Sequence, residues 1–435
     1  MSQQLAGLIG IGLLFALMAI RVPVAIAMCL GAGVGYTILD GWHRAFSVLT
    51  ALPQQLGTEY TLSVVPLFVL MGAFASRMGF SSRLFLGAAA LFSRLRASSA
   101  MATIGASALF GAICGSSLAT TATIGRIAIP EMRRLGYKDY FTAGAIASGG
   151  SLGILIPPSI ILVLYGLIAE QSVERLFAAA MIPGLVLTGI YLVITQVIAY
   201  ADPDAAPAGY EDISLRDRIL RVVGMWEIVV IFGLSIGGLS VGLFTPTEAA
   251  AVGAVTALIL GVLGGKLRPR EIWDSLIETL MTSSTLFFVA LGATFFAYFV
   301  IQAQIPNALT NYVHAINAAP VVVMALIIVF YIVAGTFLEG IGMVLATVPV
   351  FLPLVVSLGY DAVWFGVVVV VLVEIGLVHP PVGMNLFVIK NQAPDMSLAQ
   401  IYKGSLPYLA GQFALIVVLI AAPGLATWLP RVLFR

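Results

Sequence analysis

Long apolar stretches alternate with short polar segments along the whole chain. Because about 20 apolar residues are needed to cross a bilayer, ten of these stretches predict membrane-spanning helices. The predicted spans cover residues 5–20, 22–39, 61–76, 138–167, 177–200, 222–242, 245–263, 282–300, 361–390 and 404–428. Two other apolar stretches, 98–134 and 320–356, are interrupted by small residues and predict re-entrant hairpins that enter and leave on one side.

Two short strings occur twice in the chain at one fixed displacement. Gly136-Tyr137 and Pro157-Pro158 recur 223 residues later as Gly359-Tyr360 and Pro380-Pro381. A constant displacement predicts two copies of one unit, each with five spans, one hairpin and a fourth span broken by the double proline. The predicted units cover residues 1–210 and 211–435. Duplicated, interrupted membrane helices indicate the binding site of a carrier.

The distribution of basic residues predicts how the two units are oriented. Five crossings per unit is an odd number, so the second unit should be inverted relative to the first. Residues 77–96 contain four arginines, whereas the displaced segment 300–319 contains no Lys or Arg. Since Lys and Arg favour cytoplasmic loops, the first hairpin should open from the cytoplasm and the second from outside. Both chain ends should then be external, although Arg431 and Arg435 oppose this.

The composition narrows the class of protein. Hydrophobic residues make up 60% of the chain and charged residues 9%, against about 25% charged in soluble domains, and the mean hydropathy is +1.07. These values predict an all-α polytopic membrane protein in a lipid bilayer. A net charge of +1 gives no reason to expect a nucleic acid partner. Cys29 and Cys114 lie far apart in apolar segments, so a disulfide is not expected.

Two segments are amphipathic and too polar to span. Residues 42–56 and 268–281 each carry an apolar stripe and occupy matching places in the two units. Such helices lie in the plane of the membrane interface. They are either ordinary loop helices or braces that hold a static scaffold while another part moves.

The first hairpin turns at Gly111–Ser117, where Ser116 or Ser117 can cap the returning helix. Such a turn presents free carbonyls, which suit Na⁺, and free N–H groups, which suit a carboxylate. Each double proline frees further carbonyls one turn earlier in its helix. These features predict two pseudo-symmetric cation sites, each combining a hairpin turn with a broken helix. The alternative is that Gly111 and Gly115 only allow close helix packing.

The second hairpin turns at Gly335–Gly342 and contains an acid, Glu339. Glu339 and Glu374 lie at membrane depth, where acids are costly and usually functional. Glu339 can bind a cation, a proton or the substrate, or lie in water at the hairpin mouth. Glu374 is either functional or paired with a polar neighbour. His379 is either a ligand, a pH-sensitive gate or a histidine that only satisfies local hydrogen bonds.

The segment 149–153 matches the hydrolase pattern G-x-S-x-G. That pattern needs a strand–turn–helix setting with a partner acid and histidine, whereas here it falls inside a duplicated membrane helix. We therefore assign no catalytic residue and do not expect an enzyme. The chain also contains no Walker A string or zinc-ligand spacing, so any active transport must draw on an ion gradient.

Three motifs give the chain a resemblance to a known family. Gly115-Ser116-Ser117 with downstream threonines, the string Gly153–Ser159 and the string Pro380–Asn385 resemble the large membrane subunit of the tripartite ATP-independent periplasmic (TRAP) transporters, in the ion transporter superfamily. The resemblance extends along nearly the whole chain. It implies a bacterial inner-membrane elevator, in which two hairpins and two broken helices form a transport domain that slides against a scaffold. It also implies Na⁺-driven uptake of an organic acid, a small four-helix membrane subunit and a periplasmic substrate-binding protein.

The resemblance also implies two or more Na⁺ sites and a substrate site. The first cation site would use Ser116, Ser117, Gly153, Ile156 and Pro157. The second would use Gly340, Gly342, Gly376, His379 and Met384. The substrate would lie near Ser116, Thr120, Ser151, Glu339 and Asn385. Two departures concern the second site, because the family pattern suggests a hydroxyl residue at His379 and Asp at Glu339. They leave open a role for protons or a different number of Na⁺ ions.

Two other functions stay open on the sequence. A carrier or exchanger of the same superfamily would share the architecture without needing a binding protein. A channel would conduct without saturation, but two hairpins favour alternating access.

Overall fold

The computed structural model describes residues 3–206, 214–336 and 338–434. Within these ranges the chain forms helices joined by short turns, and no β-strand occurs. The prediction of an all-α protein is confirmed. The predicted boundary between the two units, between residues 210 and 211, lies outside the described residues.

The described part of the first unit contains ten α-helices and a 3₁₀ turn at Tyr60–Ser63. They are α1 (Gln3–Ala19), α2 (Val24–Asp40), α3 (Trp42–Gly57), α4 (Val64–Arg77), α5 (Phe80–Phe92), α6 (Ser98–Cys114), α7 (Ser117–Arg134), α8 (Asp139–Leu155), α9 (Ile160–Ala169) and α10 (Val173–Ala201). The helices α6 and α7 form the predicted first hairpin, and α8 and α9 are the two parts of the first broken helix. The predicted amphipathic helix at 42–56 is confirmed as α3.

The described part of the second unit contains twelve α-helices and a π-helical turn at Gly233–Gly237. They are α11 (Leu215–Val223), α12 (Trp226–Phe232), α13 (Gly238–Ser240), α14 (Pro246–Leu263), α15 (Pro269–Gln302), α16 (Ile305–Ala315), α17 (Pro320–Gly335), α18 (Gly340–Ser357), α19 (Ala362–Val378), α20 (Met384–Gln392), α21 (Leu398–Ala421) and α22 (Gly424–Leu433). The helices α17 and α18 occupy the predicted second hairpin, and α19 and α20 are separated at the second double proline.

The helix bounds recur at the displacement found in the sequence. The helix α18 begins and ends 223 residues after α7, and α19 does so after α8. Both double prolines contain a cis peptide bond. The relative orientation of the two units stays a prediction.

Among the described residues, eight helical stretches are long and apolar enough to cross a membrane by length and composition. They are Tyr60–Arg77, Asp139–Ala169, Val173–Ala201, Leu215–Ser240, Pro246–Leu263, Pro269–Gln302, Gly340–Ser357 and Leu398–Ala421. The helices α1, α2 and α19 have 17 residues each and are slightly shorter. The stretch Gly340–Ser357 is also the returning arm of the second hairpin, so its length alone does not make it a span.

The prediction of a separate interfacial helix at 268–281 is wrong. These residues continue without interruption into the predicted span 282–300, and together they form the 34-residue helix α15. In the first unit, Pro53, Gly57 and the turn after Gly57 separate α3 from α4. The matching segment 276–281 contains neither Gly nor Pro, so nothing in it ends the helix.

Two groups of helices can be distinguished by their packing, and they contact each other. In the peripheral group, α15 packs against α2 and α4, and α4 packs against α14. In the central group, α8 packs against α6, α7, α19 and α21. The groups meet where α4 contacts α6 and where α15 contacts α18.

The core of the protein lies around α8 and α19. Every residue of α8 from Phe141 to Leu155 is buried, and so is every residue of α19 from Trp364 to Val378. Both helices are apolar on all sides apart from a few small or polar residues, which is the pattern of a helix enclosed by others. The two broken helices therefore lie at the centre of the protein.

Ion pairs join helices near the ends of the apolar segments. Arg133 at the end of α7 donates to Asp139 at 2.8 Å and to Asp395 at 2.7 Å. The Arg133 guanidinium lowers the pKa of the Asp395 carboxyl below its usual value. Arg77 of α4 donates to Glu278 of α15 at 2.8 Å. These pairs tie the first hairpin to the second unit, and α4 to α15.

Candidate functional site

The tip of the first hairpin is built as the sequence predicts. Gly115 has a φ of +65°, a conformation that glycine adopts without strain, and it ends α6. Ser116 caps α7 by accepting a hydrogen bond from the backbone N–H of Ala119 at 3.4 Å. Thr120 donates to the Ser116 carbonyl oxygen at 2.8 Å. The end of one helix and the start of another therefore meet at this tip.

The hairpin tip packs directly on the first broken helix. A Cβ atom added to Gly153 would lie 2.7 Å from the Thr120 hydroxyl and 3.0 Å from the Ser116 carbonyl oxygen. A Cβ atom added to Gly115 would lie 2.7 Å from the carbonyl oxygen of Pro158. Only glycine allows such approaches. The tip therefore lies against the backbone where α8 gives way to α9.

Two other residues of the predicted first cation site lie in this break. Ile156 packs against α10, since a Cβ atom on Gly184 would lie 2.8 Å from its side chain. Pro157 forms the cis bond with Pro158. Ser159 then restarts the helix by accepting a hydrogen bond from the N–H of Leu162 at 3.3 Å. That the carbonyl groups of Ile156 and Pro157 bind a cation stays a prediction.

The second hairpin meets the second broken helix in a similar way. A Cβ atom on Gly376 would lie 2.9 Å from the carbonyl oxygen of Gly335 and 3.0 Å from its Cα atom. A cavity of about 80 Å³ lies beside this contact. Its described lining includes Thr336, Glu339, Gly340, Gly376, Gly383 and Met384. The cavity therefore lies between the hairpin turn and the broken helix, where the second cation site is predicted.

Only some residues of the predicted second cation site lie together around this cavity. His379 is not among the described residues that line this cavity, and its buried Nδ1 atom has no hydrogen-bond partner among them. Gly342 packs against Val24 of α2, whose side chain would lie 2.5 Å from a Cβ atom added to the glycine. The structure thus brings together Gly340, Gly376 and Met384 around the cavity, and Gly342 and His379 are not among its described lining residues.

Both hairpin tips reach one central cavity of about 70 Å³. Its described lining includes Gly115, Ser116 and Ser117 from the first hairpin, Glu339, Gly340 and Ile341 from the second, and Met384 at the start of α20. Three helices begin here, α7, α18 and α20, and the first turn of each has N–H groups free of intrahelical bonds. These N–H groups favour a negatively charged group, whereas the Glu339 carboxyl in the same lining opposes one.

Asn385 joins the two halves of the protein at this place. It is fully buried, and its Nδ2 and Oδ1 atoms lie 2.8 and 3.1 Å from the Ser117 hydroxyl oxygen. Its amide also lies 3.3 Å from the carbonyl oxygen of Ala147 in α8. Asn385 therefore holds α20 to the first hairpin and to the first broken helix.

The predicted substrate residues divide into two sets. Ser116 and Glu339 line the central cavity, and Asn385 lies behind it through its bond to Ser117. Thr120 is buried, and its hydroxyl donates a hydrogen bond to the Ser116 carbonyl oxygen. Ser151 lies elsewhere: its hydroxyl is 3.3 Å from Tyr191 and 3.3 Å from Gln412. The sequence placed Ser151 at the substrate site because it lies close to the double proline. It did not show which way the side chain faces.

The polar groups at the site are carbonyl, hydroxyl and amide groups together with the Glu339 carboxyl. Among the described residues no group of three or more His, Cys, Asp and Glu is placed to hold a metal ion. Backbone carbonyls at unwound helices are the groups that coordinate Na⁺ in transporters. The carbonyl and hydroxyl oxygens at the two hairpin–helix contacts are of the kind that suits an alkali cation, and Na⁺ binding there stays a prediction.

Residues 11–425 match the family described as the tripartite ATP-independent periplasmic transporter, DctM component. The chain belongs to the DctM family. The resemblance inferred from the hairpin and diproline motifs is thereby confirmed.

Other members of the DctM family are similar to the chain over most of its length. It is 35% identical to the C4-dicarboxylate TRAP transporter large permease protein DctM of Pseudomonas aeruginosa, over 86% of this chain and 87% of that protein. It is 32% identical to the sialic acid TRAP transporter large permease protein SiaM of Vibrio cholerae, over 92% of this chain and 95% of that protein. These relatives are transporters. The chain is accordingly a multi-pass protein of the inner membrane.

A solved structure shows the same fold at low sequence identity. The YdaH transporter of Alcanivorax borkumensis superposes with a TM-score of 0.65, at 16% identity over 88% of this chain and 89% of that chain. This likeness concerns the fold alone. The helical architecture of the DctM-family chain is therefore shared with a second transporter group of very different sequence.

Sequence reasoning missed the polar groups buried beside α19. Tyr191 and Gln412 approach Ser151. One signal was present: Gln412 is a lone amide within the apolar helix α21. A polar residue in such a helix usually faces protein, because lipid cannot satisfy its hydrogen bonds.

Proposed function

We propose that this DctM-family protein takes up an organic acid together with Na⁺ across the inner membrane. The substrate is a carboxylate delivered by a periplasmic binding protein. The central group of helices, with both hairpins and both broken helices, carries substrate and ions past the peripheral group in an elevator movement. The two relatives named above carry C4-dicarboxylates and sialic acid, and both kinds of substrate are carboxylates.

The observation that carries the proposal is the convergence of both hairpin tips on one cavity. Ser116 and Ser117 reach it from the first hairpin, and Gly340 reaches it from the second. The helix starts at the tips offer N–H groups to a carboxylate, and the Ser116 hydroxyl offers another polar contact. A site shared by both units is where a carrier alternates its access.

The charge of the cavity supports coupling to a cation. Glu339 is the charged side chain in its described lining, which includes neither Lys nor Arg. A carboxylate substrate would therefore add negative charge to a site without a basic partner, at high cost in a medium of low dielectric constant. Na⁺ ions bound at the two hairpin–helix contacts would offset that charge. Binding of Na⁺ and of substrate would then favour each other.

The proposed partners follow from the kind of system to which the family belongs. A tripartite periplasmic transporter has two components besides its large permease. We expect a small membrane subunit packed against the peripheral group and a soluble protein that hands the substrate to the outer face. The alternative is a carrier or exchanger of the same superfamily that works without a binding protein.

Transport by purified protein in liposomes tests the proposal. The liposomes would contain the chain with its small membrane subunit, and the outside solution would contain the binding protein and one labelled acid at a time. Uptake should require both an inward Na⁺ gradient and the binding protein, and Ser117→Leu should abolish it without unfolding the protein. An uptake rate that is unchanged when choline replaces Na⁺ would refute the coupling. Full uptake without the binding protein would favour the alternative carrier.

A further inference from the structure

The last part of α10 carries a groove on the outer surface of the protein. This groove is a cavity of about 580 Å³ between α10 and the first turn of α6. Val193, Val197 and Tyr200 line it, and 60–63% of each residue is exposed. Because they lie three or four residues apart, they share one face of α10. Since α10 is long and apolar enough to cross a membrane, this face contacts lipid or another membrane helix.

The groove is about as long as one leaflet of the membrane is deep. Its lining extends along α10 from Leu192 to Ala201, a rise of about 14 Å. One leaflet of the hydrocarbon layer is about 15 Å deep. The described lining is apolar apart from Gln196 and the Tyr200 hydroxyl, and the Gln196 amide donates to the carbonyl oxygen of Arg96 at 2.7 Å. The groove therefore offers an apolar surface that extends through one leaflet.

A basic side chain lies at the end of the groove. The Arg96 guanidinium lies over the Tyr200 ring, 5.4 Å from its centroid. The Nε atom of Arg96 is buried without a hydrogen-bond partner, and Arg96 forms no ion pair among the described residues. Tyrosine is enriched where membrane helices meet the headgroups. Arg96 and Tyr200 therefore indicate that this end of the groove lies at the level of the lipid headgroups.

Two further arginines lie near Arg96. Arg94 is two residues away and exposed. Arg218 of α11 donates to the hydroxyl oxygen of Ser93 at 2.8 Å, and the Cα atoms of Ser93 and Arg96 are at most about 11 Å apart. Within the part of the chain that the structure describes, neither Arg94 nor Arg218 forms an ion pair. We call Arg94, Arg96 and Arg218 the arginine group.

The nearby acids do not neutralise the arginine group. Asp202, at the end of α10, accepts a hydrogen bond from Lys138 at 3.3 Å, and Asp204 lies 4.0 Å from the same lysine. Asp217, next to Arg218 in the chain, accepts a hydrogen bond from the Ser214 hydroxyl at 2.7 Å. Since the three arginines and Lys138 outnumber these three carboxylates, positive charge remains at this end of the groove.

The helix α11 places the arginine group at a membrane surface. Its apolar residues are interspersed with arginines and are exposed, namely Leu215, Ile219, Leu220 and Val223. A helix of this composition lies in the plane of the membrane interface. The arginines of residues 77–96 predict that this side is cytoplasmic. The cytoplasmic leaflet carries anionic lipids, which attract basic side chains at its surface.

We propose that the groove and the arginine group together bind one anionic phospholipid. One acyl chain would lie along Val193 and Val197, and the headgroup phosphate would accept hydrogen bonds from the guanidinium groups, whose planar donors suit phosphate oxygens. The lipid would connect the turn before α6 with α11, and so the first unit with the second. This site is separate from the substrate and cation sites at the hairpin tips, and it does not depend on the transported ion.

Lipid binding to the purified protein tests the site. Phosphatidylglycerol and phosphatidylcholine with identical acyl chains would be added separately to the protein in detergent, and bound lipids would be counted by native mass spectrometry. Both lipids carry a phosphate, but only phosphatidylglycerol has a net negative charge. One molecule of phosphatidylglycerol should bind more tightly than phosphatidylcholine.

Variants of Arg96 test the contribution of the headgroup. Arg96→Gln should weaken the binding of phosphatidylglycerol about fivefold, whereas Arg96→Lys keeps the charge and should retain most of the affinity. Arg270→Gln is the matched control. It removes an exposed arginine in the first turn of α15, in the peripheral group, and should leave the binding unchanged.

A variant of Val197 tests the contribution of the acyl chain. Val197→Trp fills the groove with a bulky side chain at an exposed position, so the protein should fold and bind phosphatidylglycerol several-fold more weakly. Val255→Trp is the matched control, because Val255 is 53% exposed on α14 in the peripheral group. Thermal unfolding of each variant in detergent without added lipid checks that it is folded.

Three outcomes would overturn the inference. Equal affinity of the unmodified protein for the two lipids would mean that the arginine group does not select an anionic headgroup. Unchanged binding in both Arg96→Gln and Val197→Trp would place the bound lipid elsewhere. Loss of the bound phosphatidylglycerol when the small membrane subunit is added would assign the groove to that subunit.

Discussion

Ser117 and Asn385 lie 268 residues apart in the sequence and contact each other at the centre of the protein. The sequence predicted a role for each of them near the hairpin tip. It did not predict their contact, because an amide and a hydroxyl can find many partners and nothing local selects one. By contrast, the cap at Ser116 was predictable, since it depends only on the three residues that follow.

A double-mutant cycle measures this contact. Ser117→Ala and Asn385→Ala should each lower the free energy of unfolding, because each removes a buried hydrogen bond from the other residue. Their effects should fall short of additivity by about 1 kcal/mol. Thermal or denaturant unfolding of the purified protein in detergent gives the four values.

Ser235 provides the control for that cycle. Its hydroxyl is buried and donates to the Ala249 carbonyl oxygen at 2.8 Å, between helices of the second unit outside the hairpins. Ser235→Ala should add to Asn385→Ala without coupling. Additivity in both cycles would show that Ser117 and Asn385 do not stabilise each other.

At the scale of elements, the hairpins and broken helices were predictable and the length of α15 was not. Glycine, serine and double proline act within a few residues, so the turns at Gly115 and the breaks at Pro157 and Pro380 follow directly from the sequence. At a membrane surface the sequence changes from apolar to polar, but this change does not by itself end a helix. The charged residues of 268–281 therefore suggested a separate helix, although no residue there interrupts the backbone.

Close glycine contacts set how the hairpins meet the broken helices. Gly376→Ala would place a methyl group 2.9 Å from the Gly335 carbonyl oxygen and 3.0 Å from its Cα atom. Because both are backbone atoms, the two elements must separate, and overpacking of this kind costs about 1–3 kcal/mol. We expect lower thermal stability and loss of uptake, measured in detergent and in liposomes.

Gly189→Ala is the matched control for this effect. Gly189 lies in the interior of α10, and an added Cβ atom there would meet no atom within 4 Å. Alanine is better than glycine inside a helix by about 0.5–1 kcal/mol, so this variant should be as stable as the unmodified protein or more stable. Equal losses in both variants would argue against a tight contact at Gly376.

At the scale of the whole molecule, the packing of the core follows from the sequence and the orientation of the units is still a prediction. The helices α8 and α19 are apolar on every side, which required that other helices enclose them. The equal helix bounds of the two units agree with a repeat of 223 residues. Which way each unit crosses the membrane depends on loop charges, and the fold itself does not reveal it.

Labelling of single cysteines tests the inverted arrangement. Ser172 and Asp395 are exposed and separated by the repeat displacement of 223 residues. In a chain that lacks Cys29 and Cys114, Ser172→Cys should react with an impermeant maleimide from the periplasm. Asp395→Cys should react only after the cytoplasmic side is opened. Reaction of both from one side would mean that the units are parallel.

The unbroken helix α15 has a consequence for how the protein sits in lipid. Its 34 residues extend about 51 Å, whereas the hydrocarbon layer is about 30 Å thick. The first turns, with Glu271 and Asp274, must therefore remain among the headgroups or in water. Sinking the helix by one turn would draw carboxylates into the acyl chains, so lipid thickness fixes the depth of α15. Longer acyl chains make the hydrocarbon layer thicker. In such a bilayer α15 should tilt less and lie closer to the membrane normal.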